Sequence, residues 1–208
     1  MAAALFEQHL TDVGPRVTVA SGGLKLTGER MPPRGVSMMA RYGADLSSHI
    51  GTPVTDRSVS EADIILGMTR EHVREIVAMS PDAWSKTFTL KDFVRRAERA
   101  GARHRHQRVS DWLVSVGADR EPRHVLGADS EDDMIDPYGR RRSVWRHVIA
   151  EMDELVSRII PTLGLSRSIE PASVKVNGSE VQRHRRFLGL GKRGPLEWAT
   201  GDAAGARS

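Results

Sequence analysis

The chain has 208 residues, 39% of them hydrophobic and none of them cysteine, which argues against wholesale disorder and excludes disulfides and thiolate metal sites. Its net charge of +4 sits in residues 164–208, where eight Lys and Arg are set against four acidic residues, leaving 23 basic and 23 acidic residues in 1–163. A balanced body argues against a nucleic-acid-binding domain; no apolar run approaches the roughly 20 residues that span a bilayer, and Met1-Ala2-Ala3-Ala4-Leu5-Phe6-Glu7 lacks the pattern of a signal peptide, so a soluble cytoplasmic protein without membrane contact is expected.

Leu5, Phe6, His9, Leu10 and Val13 predict a helix over Met1–Val13, stopped by Gly14-Pro15. Arg16–Ala20 reads as a short β-branched strand ending at Ser21-Gly22-Gly23, and a Gly- and Pro-bearing loop runs on to Pro33. A second helix is expected over Gly35–Tyr42, closed by Gly43, and a short one over Thr55–Glu61. Ala62–Met68 is a strand whose apolar centre suits a sheet covered on both faces. Thr69 caps a helix over Arg70–Met79, with Val73, Ile76 and Val77 as its stripe. Lys86–Leu90 follows as a strand, Lys91–Ala100 as a helix and Val109–Val116 as a short helix. This alternation points to an α/β sandwich around a parallel sheet. His104 and His106 lie in a basic loop without a further ligand at helical spacing, and read as solvated. Asp119–Asp133 is acidic and irregular.

Asp132-Asp133-Met134-Ile135-Asp136-Pro137-Tyr138-Gly139 leads into the last long stripe, Val144, Val148, Met152, Leu155, Val156, Ile159 and Ile160. Pro137 keeps Asp136 out of the α region, Gly139 allows a turn, and Ser143 is positioned to cap the helix. A carboxylate held there beside Tyr138 is a candidate proton donor; a plain surface turn with an Asx cap is the alternative. Residues 164–208 show no sustained period and read as a basic, disordered tail outside a domain of residues 1–163.

Taken together, the strand ending at Ser21-Gly22, Asp45-Leu46-Ser47-Ser48-His49, Ala62–His72, and Asp136-Pro137-Tyr138-Gly139 before a closing helix resemble the low-molecular-weight protein tyrosine phosphatases. The resemblance covers Met1 to about Leu163. It implies a three-layer sandwich and hydrolysis of a phosphomonoester, on a phosphorylated protein or a small molecule, with no cofactor or metal. In that family a loop cysteine attacks phosphorus and an Asp-Pro aspartate protonates the leaving group. By position Asp136 matches the acid, Tyr138 an aromatic at the pocket rim, and Ser21 and His49 polar supports of the nucleophile loop. The resemblance also implies a departure: the Cys-x5-Arg loop and the interior strand before it have no counterpart here. An open slot in the sheet is therefore expected, together with a longer product that supplies both; a non-catalytic binding relative is the alternative. The loop from Ser21 to Pro33 has no aromatic residue, which leaves a deep phosphotyrosine slot in question.

Overall fold

The structure, a computed structural model, describes residues 1–11, 17–24, 28–127 and 130–165 and the backbone strand of 185–189. The expected helix stop at Gly14-Pro15 and most of the tail lie outside these residues. Helix α1 spans Ala2–Leu10, strand β1 Val17–Ser21 and helix α2 Pro33–Met39, which continues as a 3-10 turn over Ala40–Tyr42. Helix α2 begins two residues before the expected start because Pro33 is pre-shaped for a first helical position. Helix α3 spans Asp56–Glu61, strand β2 Ile64–Gly67 and helix α4 Arg70–Met79, capped by Thr55 and Thr69 at their respective helices. Strand β3 is Thr87–Thr89 and helix α5 is Leu90–Ala100, with Thr89 accepting the Asp92 N–H as its cap. Helices α6 (Val109–Val116), α7 (Arg123–Leu126) and α8 (Arg142–Thr162) follow. The short α7 falls in the acidic stretch read as irregular. Helix α8 starts at Arg142 with Arg141 as its cap residue, so Ser143 lies inside the helix and does not cap it.

Alternation along the strands divides the interior into two cores. Val17, Val19, Ile64, Leu66 and Phe88 join α1, α5 and α8 in the larger core. Ala20 and Ile65, one residue on, join Val59 of α3 and Ile76 of α4 in the smaller. Helices therefore cover both faces of an all-parallel sheet, a three-layer α/β sandwich.

The sheet contains a strand that sequence pattern did not reveal. Its order is β1-β4-β2-β3, where β4 is Arg185–Gly189, from the stretch read as tail. Strand β4 pairs in parallel with β1 from Val17↔Arg185 to Ser21↔Gly189, and with β2 from Ile64↔Phe187 to Leu66↔Gly189. The interior position expected to be empty is filled, and α1 and α3 pack against β4 from opposite sides. The reason is physical: β1 and β2 each present a row of N–H and C=O groups that must find partners, and an extended segment of almost any sequence can supply them. No helix among the described residues is long and apolar enough to cross a membrane.

Candidate active site

A cavity of about 370 Å³ opens beyond the carboxyl end of β2, between the start of α1 and the loop that precedes α8. Met31, Pro32, Met68 and Met134 form its walls, while Trp145 and Met152 of α8 form the inner side. Trp145 can approach α2 this closely because position 35 is glycine: a Cβ there would lie 2.6 Å from the indole ring. Ligand sites of open parallel sheets lie at this carboxyl edge.

Asp136 and Tyr138 stand together on the rim, both exposed. Asp136 Oδ1 accepts the Tyr138 N–H at 2.9 Å, an Asx turn that fixes the carboxylate. Gly139, at φ 70°, then reverses the chain, and Arg140 N–H closes the turn on the Pro137 carbonyl.

The loop is anchored upstream by carboxylates of a different kind. Asp133 Oδ1 accepts the Arg70 backbone N–H at 2.7 Å, and Oδ2 accepts Arg70 Nη2 at 3.1 Å. Arg70 is buried and its Nη1 also donates to the Gly127 carbonyl at 2.7 Å. Burial pushes the Asp133 carboxyl up, but hydrogen bonds from the Arg70 side chain and backbone, with the charges of Arg70 and Arg74, outweigh it and hold the carboxyl below its ordinary value. Asp132 takes a bidentate contact from Arg95 of α5, at 2.6 and 3.1 Å. Met134 N–H donates to the Met68 carbonyl at 2.8 Å, tying the loop to the end of β2. Asp132 and Asp133 are thus both engaged by guanidinium groups.

His72, also lining the cavity, accepts the Met68 N–H through Nδ1 at 3.2 Å. A neutral ring in that role carries its proton on Nε2. His72, Met31 and Trp145 were not singled out from sequence. Their signal exists only in three dimensions, because they come from α4, the loop before α2, and α8.

Ser21 and His49 are both buried, but neither lines the cavity that Asp136 and Tyr138 border. Ser21 ends β1, and through Gly189 it stands level with Leu66, so it shares the carboxyl edge with the cavity. Its Oγ has no hydrogen-bond partner among the described residues, while its carbonyl accepts Thr52 Oγ1 at 3.0 Å. The His49 N–H donates to the Leu46 carbonyl at 3.2 Å.

The sequence and fold have known counterparts. A sequence profile described as low molecular weight phosphotyrosine protein phosphatase matches residues 1–107. A probable low molecular weight protein-tyrosine-phosphatase of Ralstonia solanacearum is 38% identical over 91 residues, covering 43% of this chain and 60% of that one. The chain therefore spans about 60% of the length of the first such relative. The protein-arginine-phosphatase of Bacillus subtilis is 23% identical over 169 residues, covering 80% of this chain and 89% of that one. Among solved structures, the low molecular weight protein tyrosine phosphatase of T. tengcongensis superposes with a TM-score of 0.57 at 22% identity, covering 78% of this chain and 88% of that one. An arginine phosphatase from Geobacillus stearothermophilus gives 0.53 at 26% identity, covering 76% and 79%. With the profile spanning half of its length, the chain belongs to the low molecular weight phosphotyrosine protein phosphatase family.

Proposed function

We propose that the chain carries the proton-donating and leaving-group side of a phosphomonoester hydrolase acting on phosphorylated proteins. Asp136, as the acid, gives its proton to the ester oxygen as the P–O bond breaks and a nucleophile supplied from outside these 208 residues bonds to phosphorus; the leaving group departs neutral and Asp136 remains a carboxylate. Tyr138 and the apolar walls receive the leaving group, and Ser21 and His49 support the edge where the phosphoryl group is attacked. The observation that carries this reading is an exposed, turn-held carboxylate on the rim of an apolar cavity at the carboxyl edge of the sheet.

Charge separates the two halves of the reaction. Among the described residues the ionisable side chains lining the cavity are those of Glu71, His72, Asp136 and Tyr138, with no Lys or Arg, and Met1 lines it too. The two carboxylates disfavour a phosphate dianion close to them, whereas a neutral phenol or an alkyl chain is not affected. Displacement at phosphorus also needs a nucleophile, and none of the 208 residues is a cysteine able to form a cysteinyl-phosphate. We therefore propose that this chain by itself does not turn over phosphomonoesters. Relatives named for phosphotyrosine and for phosphoarginine both lie within reach of the comparison; the apolar lining and Tyr138 favour the aryl leaving group.

Incubating the purified chain with an aryl phosphate and with tyrosine- and arginine-phosphorylated peptides tests the proposal. Release of phosphate at the buffer rate is expected for all three. Turnover above buffer that Asp136→Ala abolishes would overturn the claim of inactivity and keep the acid. Turnover indifferent to Asp136→Ala would overturn both.

A further inference from the structure

The chain has eight methionines, and they are unevenly placed. Met1, Met31, Met68, Met134 and Met152 all line the cavity beside Asp136. Met38 and Met39 are buried in α2 outside that lining, and Met79 stands exposed at the end of α4. Val, Leu and Ile, common throughout the same core, supply only Ile135 and Val148 to the walls. Thioether walls differ from aliphatic ones in two ways. The unbranched side chain adapts its shape, and its polarizable sulfur packs well against aromatic rings. Sulfur is also open to oxidation by a peroxide, which an aliphatic carbon is not.

Access separates these groups. The cavity holds about 370 Å³, against roughly 30 Å³ for one molecule of liquid water, so a peroxide fits inside it. Met1 and Met68 are half-buried, while Met31, Met134 and Met152 belong to the core and meet solvent only through the cavity. Met39 is fully enclosed. None of the 208 residues is a cysteine, whose thiolate would compete for the oxidant.

We propose that the cavity methionines form a reversible oxidation site, and that their oxidation closes the cavity to an apolar group. This rests on the reading of the cavity as the place of an aryl leaving group. The oxidant is hydrogen peroxide or an organic hydroperoxide. Its O–O bond breaks as an S–O bond forms; sulfur is oxidised, the peroxide is reduced, and water or an alcohol leaves. The sulfoxide is polar, and its oxygen accepts hydrogen bonds that hold water against a wall that was apolar. Met68 and Met134 are tied by the Met134 N–H to the Met68 carbonyl at 2.8 Å, so oxidation of either alters the same wall. Met31 and Trp145 converge on Gly35, where a Cβ would lie 2.9 Å from Met31 Cγ and 2.6 Å from the indole ring. An oxygen on the Met31 sulfur therefore has little room on that side. A methionine sulfoxide reductase reverses the change, oxidising a pair of thiols to a disulfide and releasing water.

The test uses the full chain, hydrogen peroxide and naphthol, a neutral fluorescent aryl alcohol. Saturable naphthol binding is expected before treatment. After graded peroxide, mass mapping is expected to find sulfoxide at Met79 and at the cavity methionines before Met38 and Met39. Naphthol affinity is expected to fall at least about tenfold while urea denaturation still shows a folded chain. Methionine sulfoxide reductases are expected to restore it. Met79→Leu is expected to lose affinity on oxidation as the parent does. The variant Met31→Leu/Met68→Leu/Met134→Leu/Met152→Leu is compared with itself, and its affinity is expected to change less than about twofold on peroxide treatment. If it fails to fold, Met68→Leu alone is expected to keep more of its affinity than the parent. Affinity lost equally by the leucine variants and the parent, or lost only as the chain unfolds, would overturn the proposal. Absence of naphthol binding by the untreated chain would overturn the leaving-group reading with it, whereas binding that survives oxidation of the cavity methionines would overturn this proposal alone.

Discussion

Three carboxylates within five residues of one loop are held in different ways. Asp133 is gripped by a buried arginine and a backbone N–H, and Asp132 by a bidentate guanidinium from α5. Among the described residues Asp136 is held only by the amide of Tyr138, and it faces solvent at the cavity rim. The first two spend their charge on position, and their partners sit on helices α4 and α5 that flank β2 and β3. The third makes no ion pair among the described residues. A loop that must present a proton donor at a fixed place is served by this division, because an ion pair at Asp136 itself would favour the unprotonated form. If Asp136 is the proton donor proposed above, Arg70 acts through the loop as a positioning residue for it.

The comparison breaks most visibly at Arg70. Its side chain is 8% exposed and that of Asp133 28%. Arg70→Met leaves a partly buried carboxylate with one backbone donor and frees the Gly127 carbonyl from its partner. Loss of charged hydrogen bonds of this kind costs about 2–4 kcal/mol. Urea denaturation should show that loss as a lower midpoint with an unchanged slope. A loss under about 0.5 kcal/mol would show that the pair contributes nothing beyond its geometry.

The pH dependence sharpens the same contrast. The Asp133 carboxyl lies below its ordinary value in the folded protein. Its contribution is therefore complete above the unfolded value of about 4, and is lost as the pH falls through the folded value. Between pH 7 and 5 this group leaves stability flat; below about pH 4 the parent should lose stability more steeply than Asp133→Asn. Parallel stability–pH curves for the two proteins from pH 5 to 2.5 would remove Asp133 from the account.

The same division decides what could be read in the sequence. Strand β2 and helix α4 were legible because their signals are local: an unbroken apolar run, a threonine cap, and Val73 and Ile76 one turn apart. The turn at Asp136-Pro137-Tyr138-Gly139 was legible for the same reason, since proline and glycine act within a residue or two. The Arg70–Asp133 tether joins residues far apart in the chain, and arginine beside aspartate has no period to betray it. Strand β4 was missed because Arg185 and Arg186 make its first half look like the solvated basic runs around it. Its strand character comes from the unpaired edges of β1 and β2, not from its own side chains. Ser21 and His49, matched by the resemblance to supports of the nucleophile loop, are buried, yet no spacing in the sequence says whether they border the cavity of Asp136.

The smallest effect is expected at Asp136 itself, and it separates a working carboxylate from a structural one. Asp136→Asn retains an oxygen that accepts the Tyr138 N–H, so the Asx turn survives. Its stability should match the parent to within about 0.3 kcal/mol, as for surface substitutions that remove no packed group. Asp136→Ala deletes the acceptor and one exposed hydrogen bond, a loss of about 0.5 kcal/mol. The Tyr138 amide reports the difference directly: its hydrogen exchange should be unchanged in the asparagine variant and several-fold faster in the alanine variant. Thermal melts and amide exchange on the three proteins measure both. If Asp136→Asn instead costs more than about 1 kcal/mol, the negative charge of Asp136 is itself part of the scaffold. It would then belong with Asp132 and Asp133, and the proton donor would have to be sought elsewhere on the rim.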